Sequence, residues 1–515
     1  MKHLPIGLQN FKTLRQLDYL YIDKTQYIFQ LIRNNNPLFL SRPRRFGKSL
    51  LLSTIKYIFS GEKELFKGLW IENNYNWENT NPVIHIDMRT LAYKEFGLRK
   101  AILNLLKKIS EEKNIKLENE GIKEQFEELI EKMGKETSVV VLIDEYDKPI
   151  VDYLTDIKQA AENREILKEF YGVLKGADLY LRFLLITGVS KFSKTSIFSD
   201  LNHLDDITLS NSSAVLLGLT HDEIKENFKP HIERAKQELN LNNQEFFDKL
   251  KLFYDGYSWN GKDFLYNPFS ILKFFKDRHF NNYWFETGTP AFIINWIKEN
   301  KIEITDFENI KVDDMFFNKF DIERLDIISL MFQTGYLTIK SYNPKRNQYI
   351  LSYPNKEVKK SFIYYLFEEY SNFKQSRTAD TIWKLEDALV DNDIDEFIKV
   401  LTTVFTSIPY QIFIKEKESY YHSIIYIVMR LLGFNIKAEE SISKGRSDAV
   451  VFTDTHIYIF EFKMFPVTAK DAIKQIKEKG YEQPYLTDKR IKVLVGISFK
   501  AEEKNIFEYE VDYIK

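Results

Sequence analysis

The sequence contains no cysteine, and no long apolar run interrupts it. Without cysteine the chain has no disulfide, no thiolate zinc site and no cysteine nucleophile. The most apolar helical stretch, residues 423–434, contains Arg430 and is too short to span a bilayer. The N-terminal residues lack the apolar core of a signal peptide. These absences predict a cytoplasmic protein that does not enter membranes.

The positive and negative charges of the chain nearly cancel, because the net charge is −2 over 515 residues. A global field that attracts nucleic acid is therefore excluded. Residues 1–60 nevertheless hold ten Lys/Arg against two Asp/Glu, which predicts a segment that faces an anion. The length exceeds what one hydrophobic core supports. We expect three segments, with boundaries at 1–215, 216–378 and 379–515.

The first segment alternates short apolar runs with amphipathic ones. Strand-like runs lie at 37–41, 83–88, 138–144 and 181–188, and helical patterns lie between them at 50–59, 98–109 and 125–133. Short, fully apolar strands separated by helices are typical of a parallel sheet covered on both faces. The pattern predicts an α/β fold of the nucleotide-binding kind.

The second and third segments have different patterns. Residues 216–378 are helical and very aromatic, which usually indicates a packed core. After two helices, at 381–390 and 395–406, the chain contains a helix, a run of strands, another helix and a strand, at 416–432, 435–463, 468–480 and 491–499. This change of period predicts a separate α+β domain.

The segment from Ser41 to Ser49, SRPRRFGKS, follows a predicted strand and precedes a predicted helix. In a phosphate-binding loop Lys48 contacts the β- and γ-phosphates of ATP, Ser49 coordinates Mg²⁺, and Gly47 lets the backbone approach. Arg42 occupies the position of the first glycine, so a merely charged helix N-terminus is the alternative. The predicted nucleotide-binding residues of this loop are Arg44, Arg45, Phe46, Gly47, Lys48, Ser49 and Leu50.

Two further strand ends favour the nucleotide interpretation. The run 139–143 ends in Asp144 and Glu145. A carboxylate at the end of a buried parallel strand holds Mg²⁺ beside the loop, and the next one polarises the attacking water. Thr187 and Ser190 are predicted sensors of the γ-phosphate, although Thr187 is equally suited to a strand-end hydrogen bond. Arg42, Arg44, Arg45 and Arg182 are candidates for an arginine finger, which a neighbouring subunit of a homo-oligomer often supplies.

A second group of polar residues lies near the C-terminus. Asp448 precedes the turn at 453–456, and Glu461 and Lys463 follow it on one face of a strand. Two carboxylates and a lysine around one point suit Mg²⁺ or Mn²⁺ and the activation of a water. A cross-strand salt bridge is the alternative, but the apolar run 457–465 favours a buried site. The side chains expected to complete the site are Glu418, Gln475 and Tyr481.

The segments YIDKTQYI, SRPRRFGKSL, VLIDEYDKPI, LITGVSKFSK, YNPFSIL and FQTGYLTI resemble a bacterial and archaeal family of AAA-ATPase-like proteins. In that family a PD-(D/E)XK nuclease-superfamily domain follows, and SKGRSDAVVF, IYIFEFKM and AIKQIKEKGY are similar to it. Arginine at position 42 is shared with the family. The resemblance implies a nucleotide site of Gly47, Lys48, Ser49, Asp144 and Glu145. It implies a nuclease core of Glu418, Asp448, Glu461, Lys463 and Gln475.

The expected function is therefore that of an ATP-binding and ATP-hydrolysing protein with a metal-dependent nuclease, acting on DNA in preference to RNA. One alternative is a nucleotide-switched binding protein whose nuclease fold does not cut, since residues 411–515 hold seventeen Lys/Arg against sixteen Asp/Glu. Another is an ATPase that acts on protein partners through the aromatic middle region. Defence against foreign DNA or control of mobile elements is an analogy drawn from the architecture.

Overall fold

The computed structural model describes residues 1–33, 36–191, 197, 198, 201, 203–284, 293, 294, 296, 297, 307–317, 326–371, 375–407, 418–432, 435–442, 445–500 and 502–514. The chain divides into two units, Met1–Thr289 with Phe307–Val358 and Pro290–Asp306 with Lys359–Lys515. The segment boundaries at 215 and 378 stay a prediction. In the ranges above, no helix is long and apolar enough to cross a membrane.

The apolar runs of the first unit form a five-stranded parallel sheet in the order β2-β3-β4-β1-β5. Its strands are β1 (Leu38–Ser41), β2 (Val83–Asp87), β3 (Val139–Asp144), β4 (Leu181–Gly188) and β5 (Asp205–Asp206). The helices that accompany it are α1 (Phe11–Gln16), α2 (Thr25–Ile32), α3 (Lys48–Phe59), α4 (Tyr93–Phe96), α5 (Leu98–Glu112), α6 (Ile122–Gly134), α7 (Lys148–Val151) and α8 (Ile157–Gly172). The α/β prediction is confirmed.

Strand register places the polar strand ends at one edge of this sheet. Asp87 at the end of β2 lies beside Asp144 at the end of β3, and Ser41 at the end of β1 lies beside Gly188 at the end of β4. All residues of β3 are buried, which explains its continuous apolar run. In open parallel sheets this carboxyl edge is where ligands bind.

The middle region is helical and aromatic, as predicted. Its helices are α9 (His221–Asn227), α10 (Lys229–Leu239), α11 (Asn243–Tyr254), α12 (Pro268–Asp277), α13 (Ile327–Thr334) and α14 (Lys356–Ser371). Buried rings such as Phe228, Phe246 and Phe274 form its core. The sequence pattern did not indicate the antiparallel sheet of β6 (Ile310–Asp313), β7 (Thr338–Asn343) and β8 (Gln348–Ser352), because these strands are short and mostly half-buried.

The second unit contains a mixed sheet in the order β13-β12-β11-β10-β9. Its elements are α15 (Gln375–Val390), α16 (Ile394–Ser407), α17 (Glu418–Leu431), β9 (Asn435–Ile442), β10 (Gly445–Phe452), β11 (His456–Met464), α18 (Ala469–Lys479), β12 (Ile491–Lys500) and β13 (Asn505–Ile514). The central strand is β11, as its apolar run predicts. Strand β13 was missed because its alternating polar sequence is that of an edge strand.

Candidate nucleotide and nuclease sites

The loop between β1 and α3 has the geometry of a phosphate-binding loop. Gly47 has φ of 96°, a left-handed conformation that favours glycine, and caps the N-terminus of α3. Lys48, the first helical residue, is only 4% exposed. Its Nζ donates to the carbonyl oxygens of Arg42 at 2.9 Å and Pro43 at 3.1 Å. The ammonium group thus lies over a loop that ends at a helix N-terminus, where anions are favoured.

The two predicted magnesium ligands of this site touch each other. The Ser49 hydroxyl donates to Asp144 Oδ2 at 2.5 Å. The Thr187 hydroxyl donates to Asp144 Oδ1 at 2.8 Å, so it fixes the orientation of a carboxylate that is 1% exposed. One cation can bind Ser49 Oγ and Asp144 Oδ2 together, and hard oxygen donors suit Mg²⁺. A contact between Thr187 and the γ-phosphate stays a prediction.

Glu145 lies beside the lysine of the loop. Its Oε1 is 3.8 Å from Lys48 Nζ, and its backbone has φ of 52°, a strained region for a residue other than glycine. Asp147 follows on the next turn and accepts hydrogen bonds from the Ser190 amide and hydroxyl. Burial, with Glu145 nearby, raises the pKa of Asp147. Ser190 therefore contacts Asp147 and ties the end of β4 to the segment after β3.

Arg42, which replaces the usual first glycine, supports the loop from inside. Its guanidinium is buried and donates to the carbonyl oxygens of Ser41, Thr208 and Ser213. It also stacks over Trp259, with 4.1 Å to the ring centroid. Burial lowers the pKa of Arg42 to about 9. The guanidinium is thus occupied by its own strand end and by the segment that contains Thr208 and Ser213.

The other arginine-finger candidates occupy different positions. Arg182 lies at the amino end of β4, opposite the phosphate loop, where it donates to the carbonyl oxygen of Ile32. Arg44 and Arg45 are exposed within the loop, and Arg45 stacks on Phe269 at 4.8 Å. Neither has an ion pair with any residue that the structure describes.

Sequence patterns missed Arg89, which contacts Asp144 directly. Its Nη2 is 3.3 Å from Asp144 Oδ2 and 2.7 Å from Asp87 Oδ2. A sequence signal for Arg89 was present. The strand 83–87 ends in Asp87, is followed directly by Met88 and Arg89, and lies beside the strand that ends in Asp144.

An apolar pocket of about 120 Å³ opens beside the phosphate loop. Phe46, Gly47 and Leu50, three of the predicted nucleotide-binding residues, line it. The remaining wall comes from the N-terminal segment, α3, the start of the middle region and α12, through Pro5, Leu14, Leu20, Tyr21, Ile22, Lys24, Ile28, Leu51, Thr54, Leu216, Leu217, Gly218, Leu219, Pro268 and Leu272. A heteroaromatic base suits such a wall.

The second unit brings three predicted residues, Asp448, Lys463 and Gln475, around the carboxylate of a fourth, Glu461. Ala449 pairs with Phe460 across the β10–β11 hairpin, so Asp448 lies across from Glu461. Asp448 Oδ2 accepts from the Phe462 amide at 2.7 Å. Glu461 Oε1 accepts from Lys463 Nζ at 2.8 Å and from the Gln475 amide at 2.5 Å.

The carboxylate of Glu461 is buried, and its two oxygens differ in their hydrogen bonds. The residue is 2% exposed, and its Oε2 accepts no hydrogen bond from the residues that the structure describes. Burial and the nearby Asp448 raise the pKa of Glu461 to about 7, while Lys463 opposes the shift. A buried carboxylate normally has a partner or a metal. The unpaired oxygen beside a second carboxylate therefore fits a divalent cation.

Two further members of the predicted nuclease site are Tyr481 and Glu418. Tyr481 contacts Gln475, with 3.4 Å between the hydroxyl and Nε2. Glu418 is the first residue of α17, but its side chain lies outside the described part of the chain. In the ranges that the structure covers, no group of three or more histidine or acidic side chains is suited to hold a metal ion.

Comparison with known proteins places both sites in recognised families. The family described as predicted AAA-ATPase matches residues 5–198, and the PD-(D/E)XK nuclease superfamily matches residues 416–509. An "uncharacterized protein in vnfD 5′region" from Azotobacter chroococcum mcd 1 is 36% identical over 528 residues, covering 99% of each chain. The chain belongs to the family that joins an AAA-ATPase-like domain to a PD-(D/E)XK nuclease-superfamily domain.

Replacing Lys48 with alanine removes the only ammonium group held over the loop carbonyls within the described residues. We expect ATP affinity to fall about ten- to a hundredfold, because a charge-assisted contact to phosphate is lost. Titration calorimetry measures this change. Lys56→Ala, near the other end of the same helix, serves as the matched control and should bind ATP normally. Unchanged affinity in a folded Lys48→Ala protein would remove the assignment of the loop.

Replacing Glu461 with glutamine should stabilise the metal-free protein at pH 8 and have little effect at pH 5. The pKa of Glu461 is raised from 4.5 to about 7 on folding, so this residue destabilises the fold as pH rises through that window. Removing the charge should therefore recover about 1–3 kcal/mol above pH 7. Thermal unfolding with a chelator at both pH values measures it.

The control is Glu478→Gln, an exposed glutamate on α18, which should behave like the wild type at both pH values. A Glu461→Gln protein that is less stable than the wild type at pH 8 would contradict the raised pKa of Glu461.

Proposed function

We propose that the protein binds and hydrolyses ATP with Mg²⁺, and that its C-terminal domain cleaves phosphodiester bonds in nucleic acid with Mg²⁺ or Mn²⁺. The observation that carries the nuclease proposal is the convergence of Lys463 and Gln475 on Glu461, with Asp448 across the hairpin. A salt bridge on a solvated sheet face would not leave a buried carboxylate oxygen without a partner.

In the ATPase half, each element of the site has a separate task. Lys48 and the amides at the start of α3 bind the phosphates, and the apolar pocket beside Leu50 accepts the base. Bound Mg²⁺ neutralises phosphate charge. Glu145, whose strained backbone holds it beside Lys48, polarises the attacking water.

In the nuclease half, the chain's own residues orient the Glu461 carboxylate and compensate negative charge. A bound divalent cation supplies Lewis-acid neutralisation of the phosphate and the leaving oxygen. Gln475 and Lys463 both donate to Oε1 of Glu461, so the other carboxylate oxygen would be available to hold the cation together with Asp448. Lys463, partly exposed at 18%, stabilises negative charge on the attacking or transferring group.

The non-cutting alternative is favoured by one observation, which is the local neutralisation of basic residues. Lys477 pairs with Asp512, and Arg490 pairs with Asp488, so these side chains do not form an uncompensated basic surface.

We propose DNA before RNA as the substrate. A role in defence against foreign DNA is a further proposal that rests on architecture alone.

Glu145→Gln should separate binding from hydrolysis. The substitution keeps the shape of the side chain and removes the base, so ATP should still bind while turnover falls at least a hundredfold. Phosphate release under saturating ATP measures turnover. Glu162→Gln, on α8 and away from the strand ends, should retain full turnover. Wild-type turnover in Glu145→Gln would mean that another residue positions the water.

Asp448→Ala should abolish divalent-dependent nicking of plasmid DNA, since it removes one of the two carboxylates around the cation. The assay is run on DNA and on RNA, with and without ATP. Asp454→Ala changes an exposed aspartate in the turn of the same hairpin and should cut normally. Equal cutting by wild type and Asp448→Ala would assign the activity to another site. An inert wild type that still hydrolyses ATP would favour the nucleotide-switched binding protein.

A further inference from the structure

Arg89 occupies a position at the edge of the ATPase sheet that its structural partners only partly explain. Its Nε and Nη2 bind Asp87 in a bidentate pair at 2.9 and 2.7 Å, and its Nη1 donates to the Gln9 side chain at 2.9 Å. The same Nη2 also reaches Asp144 Oδ2 at 3.3 Å. The two hydrogen bonds with Asp87 alone would anchor the guanidinium, so the contact with Asp144 is not required to hold Arg89 in place.

The oxygen that Arg89 contacts is also the oxygen that Ser49 contacts. Asp144 Oδ2 accepts from the Ser49 hydroxyl at 2.5 Å and from Arg89 at 3.3 Å. Ser49 and Asp144 are the predicted ligands of the cation that accompanies ATP. A guanidinium that shares this oxygen therefore lies beside the place where the proposed cation and the terminal phosphates of ATP would bind.

Three arginines, Arg44, Arg45 and Arg89, lie near one another at this edge of the sheet. Arg45 and Arg44 are exposed in the loop, and the pKa of Arg45 is lowered first by partial burial and then by the nearby charges of Arg44 and Arg89. Mutual repulsion among three arginines favours the binding of a multivalent anion between them.

We propose that Arg89 contacts the γ-phosphate of bound ATP and makes the site distinguish ATP from ADP. Asp87 holds the guanidinium in place through two hydrogen bonds, while Nη2 exchanges Asp144 for a phosphate oxygen when a cation compensates that carboxylate. Planar arginine suits such an exchange because it presents several donors in a fixed fork. The inference rests on the proposed ATP binding.

The test compares the equilibrium affinities for ATP and ADP, each with Mg²⁺, by titration calorimetry. In Arg89→Ala, ATP affinity should fall about ten- to a hundredfold while ADP affinity changes less than threefold. Arg89→Lys, which keeps the charge but not the fork, should lose part of the preference. Retained ADP binding in the same variant shows that the site is folded.

Two controls separate this role from a structural one. Arg99→Ala removes a comparable arginine–carboxylate pair, with Glu169, away from the strand ends and should leave both affinities unchanged. Gln9→Ala removes only the Nη1 partner and should preserve the preference for ATP. If Arg89→Ala lowers the affinities for ATP and ADP equally, or lowers neither, the role of Arg89 is structural and the inference is overturned.

Failure of the underlying function gives a different result. A wild-type protein that binds neither nucleotide overturns ATP binding itself and this inference with it. A wild-type protein that binds both, with equal losses in Arg89→Ala, overturns the role of Arg89 alone.

Discussion

The nucleotide half of the protein depends on how one buried negative charge is satisfied, that of Asp144. Its carboxylate lies at the end of a fully buried strand, so water cannot stabilise it. Hydroxyl groups from α3 and β4, Ser49 and Thr187, supply neutral hydrogen bonds, and Arg89 supplies the positive charge. Three separate segments are thereby fixed at the point where the phosphate loop ends and α3 begins. The requirement to satisfy one carboxylate positions the helix that holds Lys48.

Glu461 sets a comparable constraint in the second unit, but its charge is balanced differently. Lys463 and Gln475 both donate to one oxygen, and the second oxygen accepts no hydrogen bond from the described residues. The raised pKa of Glu461 shows that the protein alone does not compensate this carboxylate fully. Structural ion pairs usually satisfy both oxygens. An imbalance of this kind is characteristic of a group that acts on a ligand.

The sequence indicated most of the fold and the groups of the site because both follow from local patterns. Apolar runs ending in Asp144, and the alternation that puts Glu461 and Lys463 on one face, are visible in the chain itself. Arg89 and the supporting role of Arg42 were not visible, since each depends on contacts with residues far along the sequence. Strand β13 escaped for another reason, because its exposed, alternating residues resemble an irregular tail.

The two carboxylates differ in how they would receive the proposed cations. Asp144 has hydrogen-bond donors on both oxygens before any ligand binds, so its geometry is set in advance and a cation replaces existing partners. Glu461 keeps an oxygen without a donor in the described residues, so cation binding there also relieves an electrostatic cost. If Mg²⁺ binds Asp144 as proposed, it would compensate the charge that Arg89 compensates in this structure, and the guanidinium would then be available to a phosphate. At Glu461 the bonds from Lys463 and Gln475 go to the other oxygen, and they can persist when the cation binds.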